Sequence, residues 1–160
     1  MTHSEIKIRQ YTGSDIDKLA KVYRDSVLEL GKGHYDPERL RVWASFSDET
    51  GEFGNLLESG YTLVAEATDG PFAFGALNPV DHISLLYTMK GHSRTGVATA
   101  IYRELEAHSL SAGIIILRTE ASRVSKPFFL KMGFEIVETE TALRKGLRFE
   151  RFKMKKMLSD

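Results

Sequence analysis

Ile83-Ser84-Leu85-Leu86-Tyr87-Thr88-Met89-Lys90-Gly91-His92-Ser93-Arg94-Thr95-Gly96-Val97-Ala98 runs from an apolar, β-prone segment through a small-residue turn into a helical pattern. A strand over His82 to Thr88 enters that turn, and a helix leaves it over about Gly96 to Leu110, with Val97, Ile101 and Leu105 on one side. Strand, tight turn and helix together form a device for holding an anion. Amides at a helix N-terminus point outward unpaired, and the helix dipole adds partial positive charge. Gly96 and Ala98 admit a ligand close to the backbone, Arg94 adds a full charge, and Thr95 and Thr99 add hydroxyl donors. Alone, the turn reads more readily as a tight strand-to-helix connection.

Working outward, Tyr61 to Ala67 and Phe72 to Leu77 read as strands flanking the turn Thr68-Asp69-Gly70-Pro71. Asn78-Pro79-Val80-Asp81 makes a second turn, so the middle of the chain reads as an antiparallel meander. Before it come a strand over Ile6 to Tyr11 and a helix with Ile16, Leu19, Ala20, Tyr23, Val27 and Leu30 at helical spacing. Ser14-Asp15-Ile16-Asp17 caps that helix, and Gly31 and Gly33 stop it. A second helix starts at Asp36-Pro37 and carries Leu40, Trp43 and Ala44. Ser47 to Gly60 reads as loop with a short helical turn at Leu56-Leu57. After the meander and its helix, Ile114 to Arg118 reads as a buried strand. Ser125 to Met132 reads as a short helix closed by Gly133, and Phe134 to Glu140 and Leu147 to Met157 as strands. The apolar parity of the last strand changes between Phe149 and Phe152, which predicts a bulge. The fold class is α/β, one domain over 1–160.

The composition narrows the function. With 160 residues, 42% of them hydrophobic, the chain builds a real core. Lysine plus arginine and aspartate plus glutamate both number 22. That balance argues against a strong electrostatic grip on nucleic acid, and glutamate interrupts the basic stretch Arg144 to Lys156. The absence of cysteine excludes disulfides and thiolate chemistry and fits a cytoplasmic protein. No signal peptide is readable in Met1 to Gln10, and no stretch is long and apolar enough for a membrane span. The histidines show no spacing that suits a metal site.

The run Ile83 to Ala98 resembles motif A of the GNAT N-acetyltransferase superfamily, in which a strand leads through His-Pro-Asp-Tyr into Gln/Arg-x-x-Gly-x-Gly/Ala. Ser125-Lys126-Pro127-Phe128-Phe129-Leu130-Lys131-Met132-Gly133-Phe134 is similar to the family's motif B, Ala-x-x-Phe-Tyr-x-x-x-Gly-Phe. The pattern is nearest a bacterial branch with Pro-Phe-Phe in motif B. The order of elements fits across nearly the whole chain.

The resemblance implies a mixed central sheet of about seven strands with a splayed parallel pair, about four helices, and acetyl-CoA as co-substrate in the gap. Leu86, Tyr87 and Thr88 would pair with the pantetheine, and Ser93, Arg94, Thr95, Gly96, Val97, Ala98 and Thr99 would hold the pyrophosphate. Ser122 falls where many relatives carry an asparagine that contacts the cofactor arm, and Phe128 and Phe129 would line the channel near the thioester. Tyr35 and Trp43 lie where relatives cap the acceptor pocket, though Trp43 also reads as core. The expected acceptor is an amine of a small molecule or peptide, attacking directly in a ternary complex. A homodimer through the last strands is common among relatives.

Three departures from the pattern stand out. Ser93 replaces glutamine or arginine. Lys90-Gly91 replaces Pro-Asp, leaving Lys90 to face the cofactor's phosphates. Phe129 replaces the tyrosine whose hydroxyl protonates the departing thiolate. These leave room for an alternative, a catalytically weak acyl-CoA sensor on the same fold.

Counting back from Gly96 puts His82 at the family's usual base position. A histidine titrates near neutrality and suits proton removal from an amine. Ser84 lies on the same strand face, since side chains alternate, and would orient it. Equally, His82 reads as an ordinary residue at a strand start. Glu120, after the buried strand, is either a further acid or base, or a solvated or capping carboxylate.

Overall fold

The computed structural model describes residues 5–92 and 96–158. Lys7–Gln10 (β1), Tyr61–Ala67 (β2), Gly70–Leu77 (β3), His82–Thr88 (β4), Ile116–Ala121 (β5), Glu135–Arg144 (β6) and Leu147–Met157 (β7) form one sheet. Its order is β1-β2-β3-β4-β5-β7-β6, and every neighbouring pair is antiparallel except β4 with β5. Helices Ile16–Leu30 (α1), Pro37–Ala44 (α2) and Thr50–Ser59 (α3) cover one face, and Val97–Ser111 (α4) and Lys126–Lys131 (α5) the other.

The two helical layers bury separate stripes. Leu19, Val22, Tyr23 and Val27 of α1 share a core with Val64, Phe74, Ala76 and Leu85. Val97, Ile101, Tyr102 and Leu105 of α4 share the other with Leu63, Ala65, Ala73 and Leu117. Each large side chain so buried stabilises by about 1.5–3 kcal/mol.

Four local expectations are corrected. The cap of α1 begins earlier, in a 3-10 turn at Gly13–Asp15, where Asp15 Oδ2 accepts from the Thr12 N–H at 2.9 Å. Asp15 is also clamped by both terminal nitrogens of Arg9 at 2.8 Å, so the carboxylate that reads as a solvated cap is a buried ion-pair partner. The segment read as loop holds the ten-residue helix α3, because Phe53 and Leu57, one turn apart, are buried. Gly54 lets α1 and α3 lie close, since a Cβ there would come 2.8 Å from Ile16 Cδ1.

Strand β5 begins two residues later than expected and is not buried throughout. Leu117, Thr119 and Ala121 face the α4 core while Ile115 and Ile116 are exposed, so the apolar run straddles a loop and a one-sided strand. The expected bulge in β7 is absent. Phe149 pairs with Ala142 and Phe152 with Thr139 in unbroken register, and the shift falls in β6 between Ile136 and Glu138. Parity changes because β7 buries residues on both faces: Phe149 meets Tyr35, whereas Phe152 joins the α4 core.

Candidate active site

The site grows from the way β4 and β5 part. They pair only at His82 with Arg118 and Ile83 with Thr119, and Thr119 Oγ1 donates to the Ile83 carbonyl at 2.9 Å to close the vertex. Beyond it, Leu86, Tyr87 and Thr88 are paired with Gly75, Phe74 and Ala73 of β3 and have no partner in β5. Leu86 packs toward α4 and Tyr87 toward α1. The opening on the α4 side leads to Gly96, which starts that helix at φ 83°, a left-handed conformation that favours glycine. Val97 is buried beneath the first turn, and Ala98 and Thr99 are half-buried on it. Ser93, Arg94 and Thr95 lie outside the described residues.

On the opposite face is a cavity of about 540 Å³. Its walls include Tyr23, Tyr35, Trp43, Phe46 and Phe149, and its floor His82, Ser84 and Glu120. Tyr35 stands edge-on to Trp43 with centroids 5.4 Å apart, and 6.1 Å from Phe149. Trp43 is therefore both wall and packing, which reconciles its two readings. Tyr87 also lines the cavity, and burial pushes its hydroxyl up to about 12.

Bonds between distant segments hold the Tyr35 side of the cavity in place. Arg123 Nη1 donates to the His34 carbonyl at 2.9 Å and its backbone N–H to Tyr35 Oη at 3.3 Å, while its guanidinium lies 5.3 Å from the Tyr35 ring centroid. Arg39 Nε donates to the Arg148 carbonyl at 2.8 Å. These bonds tie the α1–α2 connection and α2 to the β5–α5 loop and β7.

His82 is gripped at both ends of its ring. Nδ1 lies 3.0 Å from the Asn78 carbonyl oxygen and Nε2 2.9 Å from Glu120 Oε1. Burial alone would lower the imidazole, but the Glu120 carboxylate and the Asn78 carbonyl outweigh it and hold His82 above its ordinary value. The bond to His82 outweighs burial for Glu120, which is held below the usual carboxylate range, with Arg151 and Arg118 adding to the effect.

The side chain bonded to His82 is Glu120, not Ser84. The β3–β4 register shifts from Ala76 with Leu85 to Leu77 with Ile83, which makes Ser84 the extra residue of a bulge. Its Oγ donates to the Ala76 carbonyl at 3.3 Å. Sequence reading undervalued Glu120 because only the parallel pairing of β4 with β5 brings it to His82. No local signal marks Arg123.

Other expected residues are placed as follows. Ser122 lines the cavity, and its Oγ accepts from the Ser125 N–H at 3.1 Å, fixing the entry to α5. Phe128 is half-buried, but Phe129 is a core residue, edge-on to Phe128 and Phe134 at 5.3 and 5.2 Å, rather than a channel wall. Lys90 does not stand free toward a phosphate: its Nζ donates to Glu29 Oε2 at 3.1 Å. Among the described residues no cluster of three or more His, Asp or Glu is placed to hold a metal.

A mixed sheet split at one parallel pair, with a helix N-terminus at one mouth and a walled pocket at the other, defines an acyltransferase of the coenzyme A-dependent kind. The chain belongs to the GNAT acetyltransferase family: the family model described as Acetyltransferase (GNAT) domain matches residues 32–157. It is 26% identical over 153 residues to the uncharacterized N-acetyltransferase YafP of Escherichia coli K12, covering 95% of this chain and 96% of that one. A GCN5-related N-acetyltransferase structure from Rhodopseudomonas palustris, described as an aminotransferase, class-II, superposes with TM-score 0.92 at 28% identity, covering 99% of both chains. The PaiA N-acetyltransferase of Thermoplasma acidophilum, solved in complex with coenzyme A, superposes with TM-score 0.78 at 21% identity over 96% of this chain and 99% of that one. That likeness is one of fold.

Proposed function

We propose that this protein transfers an acetyl group from acetyl-CoA to the amine of a small molecule or an exposed peptide end, by direct attack in a ternary complex. The observation that carries the reading is the parting of β4 from β5 beside a walled cavity that His82, Ser84, Glu120 and Ser122 line. The unpaired half of β4, Leu86 to Thr88, takes the pantetheine, and the turn from Ser93 through Thr99 takes the pyrophosphate. Ser122 and Phe128 stand beside the cofactor arm. Tyr35 and Trp43 bound the acceptor, whose apolar body the aromatic walls favour. The His82–Glu120 pair handles the proton that nitrogen must lose.

The same reading treats the chain as one GNAT domain of the bacterial branch with Pro-Phe-Phe in motif B, acting in the cytoplasm. The exposed Ile136, Val137 and Leu143 on edge strand β6 suit a homodimer through the last strands. With phenylalanine at position 129, the thiolate leaves without a tyrosine acid, which its solution pKa of about 8.5 tolerates.

The test is thiol release from acetyl-CoA with a panel of primary amines, followed by mass spectrometry of the product. A mass gain of one acetyl group on an amine is the expected result. Acetyl-CoA binding with no release across the panel would return the sensor reading, and failure to bind coenzyme A would overturn the site.

A further inference from the structure

We propose that Glu120, not His82, is the proton acceptor of the pocket, and that His82 is a fixed imidazolium that positions it. The proposal deepens the acetyl-transfer reading and rests on it for the identity of the reaction. It comes from counting donors and acceptors around one ring. A backbone carbonyl only accepts, so His82 Nδ1, 3.0 Å from the Asn78 oxygen, must carry a hydrogen. An ionised carboxylate also only accepts, so Nε2, 2.9 Å from Glu120 Oε1, must carry one too. A neutral imidazole satisfies one of these contacts and leaves the other as two facing lone pairs. Both are satisfied only by the cation, which has no lone pair to offer an amine.

The surrounding charges favour the same assignment. From β5, Arg118 flanks the pair and is itself bound by Asp81 at 3.1 Å. From β7, Arg151 faces Glu120, with its Nη2 bound by Glu140 of β6 at 2.7 Å. Lys153 is the residue paired with Glu120 across the strands, and it reaches Glu138 at 3.5 Å and Glu140 at 3.8 Å. Arg151 and Arg118 favour the ionised Glu120. Arg118 opposes the imidazolium, but the bonds to Glu120 and to the Asn78 carbonyl outweigh it and burial, so the carboxylate is lowered and the imidazole raised. Among the described residues only Glu120 Oε1 has a hydrogen-bond partner, and the residue lines the cavity, so Oε2 remains for a ligand.

The step balances as follows. The acceptor enters as its neutral amine, the ammonium form having given one proton to water. The nitrogen lone pair forms a C–N bond to the thioester carbonyl carbon. In that adduct nitrogen carries positive charge, which makes its two protons acidic; one passes to Glu120 Oε2 and the other stays as the amide N–H. The C–S bond then breaks, its electron pair leaves on sulfur, and Glu120 returns the proton to water or to the thiolate. His82 keeps both protons throughout.

The test has a spectroscopic arm and a kinetic arm. Imidazole nitrogen spectra of the uniformly ¹⁵N-labelled full chain, without ligand, are followed from pH 5 to 9. His82 should remain doubly protonated at pH 7.5, and Glu120→Gln should lower its midpoint by about one unit or more. A neutral His82 ring at pH 7.5 in the unsubstituted protein overturns the proposal whatever the activity. In the kinetic arm, thiol release from acetyl-CoA is measured with phenethylamine and the other amines of the panel. Glu120→Gln should cut kcat by about 10²-fold or more, with partial recovery in Glu120→Asp. His82→Gln, whose amide N–H₂ replaces the Nε2–H donor, should keep more than about a tenth of kcat. The reverse order of the two losses overturns the proposal. No turnover with any amine counts against acetyl transfer and leaves the spectra to decide the protonation state.

Discussion

Replacing Gly75 with alanine measures how tightly α4, and with it the proposed cofactor turn, is seated on the sheet. Gly75 lies in β3 between Leu63 and Leu86. A Cβ there would come 2.8 Å from Ile101 Cγ2, 3.0 Å from Leu86 Cδ1 and 3.1 Å from Leu105 Cδ1. Carbon atoms prefer about 3.5–4.0 Å, so three side-chain tips must each retreat by roughly 0.5–1 Å. All three sit in the α4 core, where Ile101 and Leu105 are fully buried and have no room to yield. Overpacking of this kind costs about 1–3 kcal/mol. Removing a glycine from the unfolded chain returns about 0.4–1 kcal/mol. The net loss is therefore about 0–2.6 kcal/mol, centred near 1.3, or a fall in Tm of roughly 3–5 °C at that centre for a chain of this length. Because Leu86 belongs to the proposed pantetheine strand, acetyl-CoA affinity by calorimetry should weaken in parallel. Gly13→Ala is the control, since a Cβ at Gly13 meets nothing within 4 Å. A Gly75→Ala protein that melts at or above the parent temperature and binds acetyl-CoA equally well would falsify the close-seating argument.

Gly96→Glu puts a side chain and a negative charge at φ 83° beside the proposed pyrophosphate; calorimetry should detect no coenzyme A binding, and tight binding would show the turn is misassigned. Arg123→Ala removes the bond to the His34 carbonyl and the stacking on Tyr35; KM for the acceptor should rise while KM for acetyl-CoA holds, and equal shifts in both would deny a role confined to the acceptor side. Asp15 is held below its ordinary value chiefly by Arg9. Its stabilisation is thus present above about pH 3.8 and lost as pH falls through the depressed folded value. Arg9→Gln should cost about 1–3 kcal/mol at pH 7 and flatten the stability profile below pH 4, measured by urea unfolding; an unchanged acid slope would assign that slope to other carboxylates.

Much of this architecture is legible locally. The strands Tyr61–Ala67 and His82–Thr88 and the helix Ile16–Leu30 fall where periodicity and turn residues place them. The failures share one cause, which is that the deciding contact is non-local. Asp15 reads as part of a capping run until Arg9, itself held by Glu66 of β2, closes on it. Gly54 reads as loop until α1 is laid across α3. Ile115 and Ile116 read as core because nothing in their neighbourhood says that the apolar run straddles a loop and a one-sided strand.

The site divides the same way. The donor half is a single continuous stretch, β4 through α4, and so its pattern survives in sequence. The proposed acceptor half is assembled from separate stretches, among them Tyr23, Tyr35 with Trp43, Leu56, His82, Glu120, and Arg144 with Phe149. No spacing rule connects these. Two of its chemical features are products of the sheet alone. The bulge at Ser84 turns that hydroxyl to Ala76 and removes it from His82. The parallel pairing that ends at Ile83 and Thr119 puts Glu120 one residue past the vertex, where its strand has left β4 and its side chain reaches His82. A histidine at a base position in the sequence is therefore weak evidence for a base. Its lone pair depends on what the other strands place around it, and here they place a carbonyl and a carboxylate.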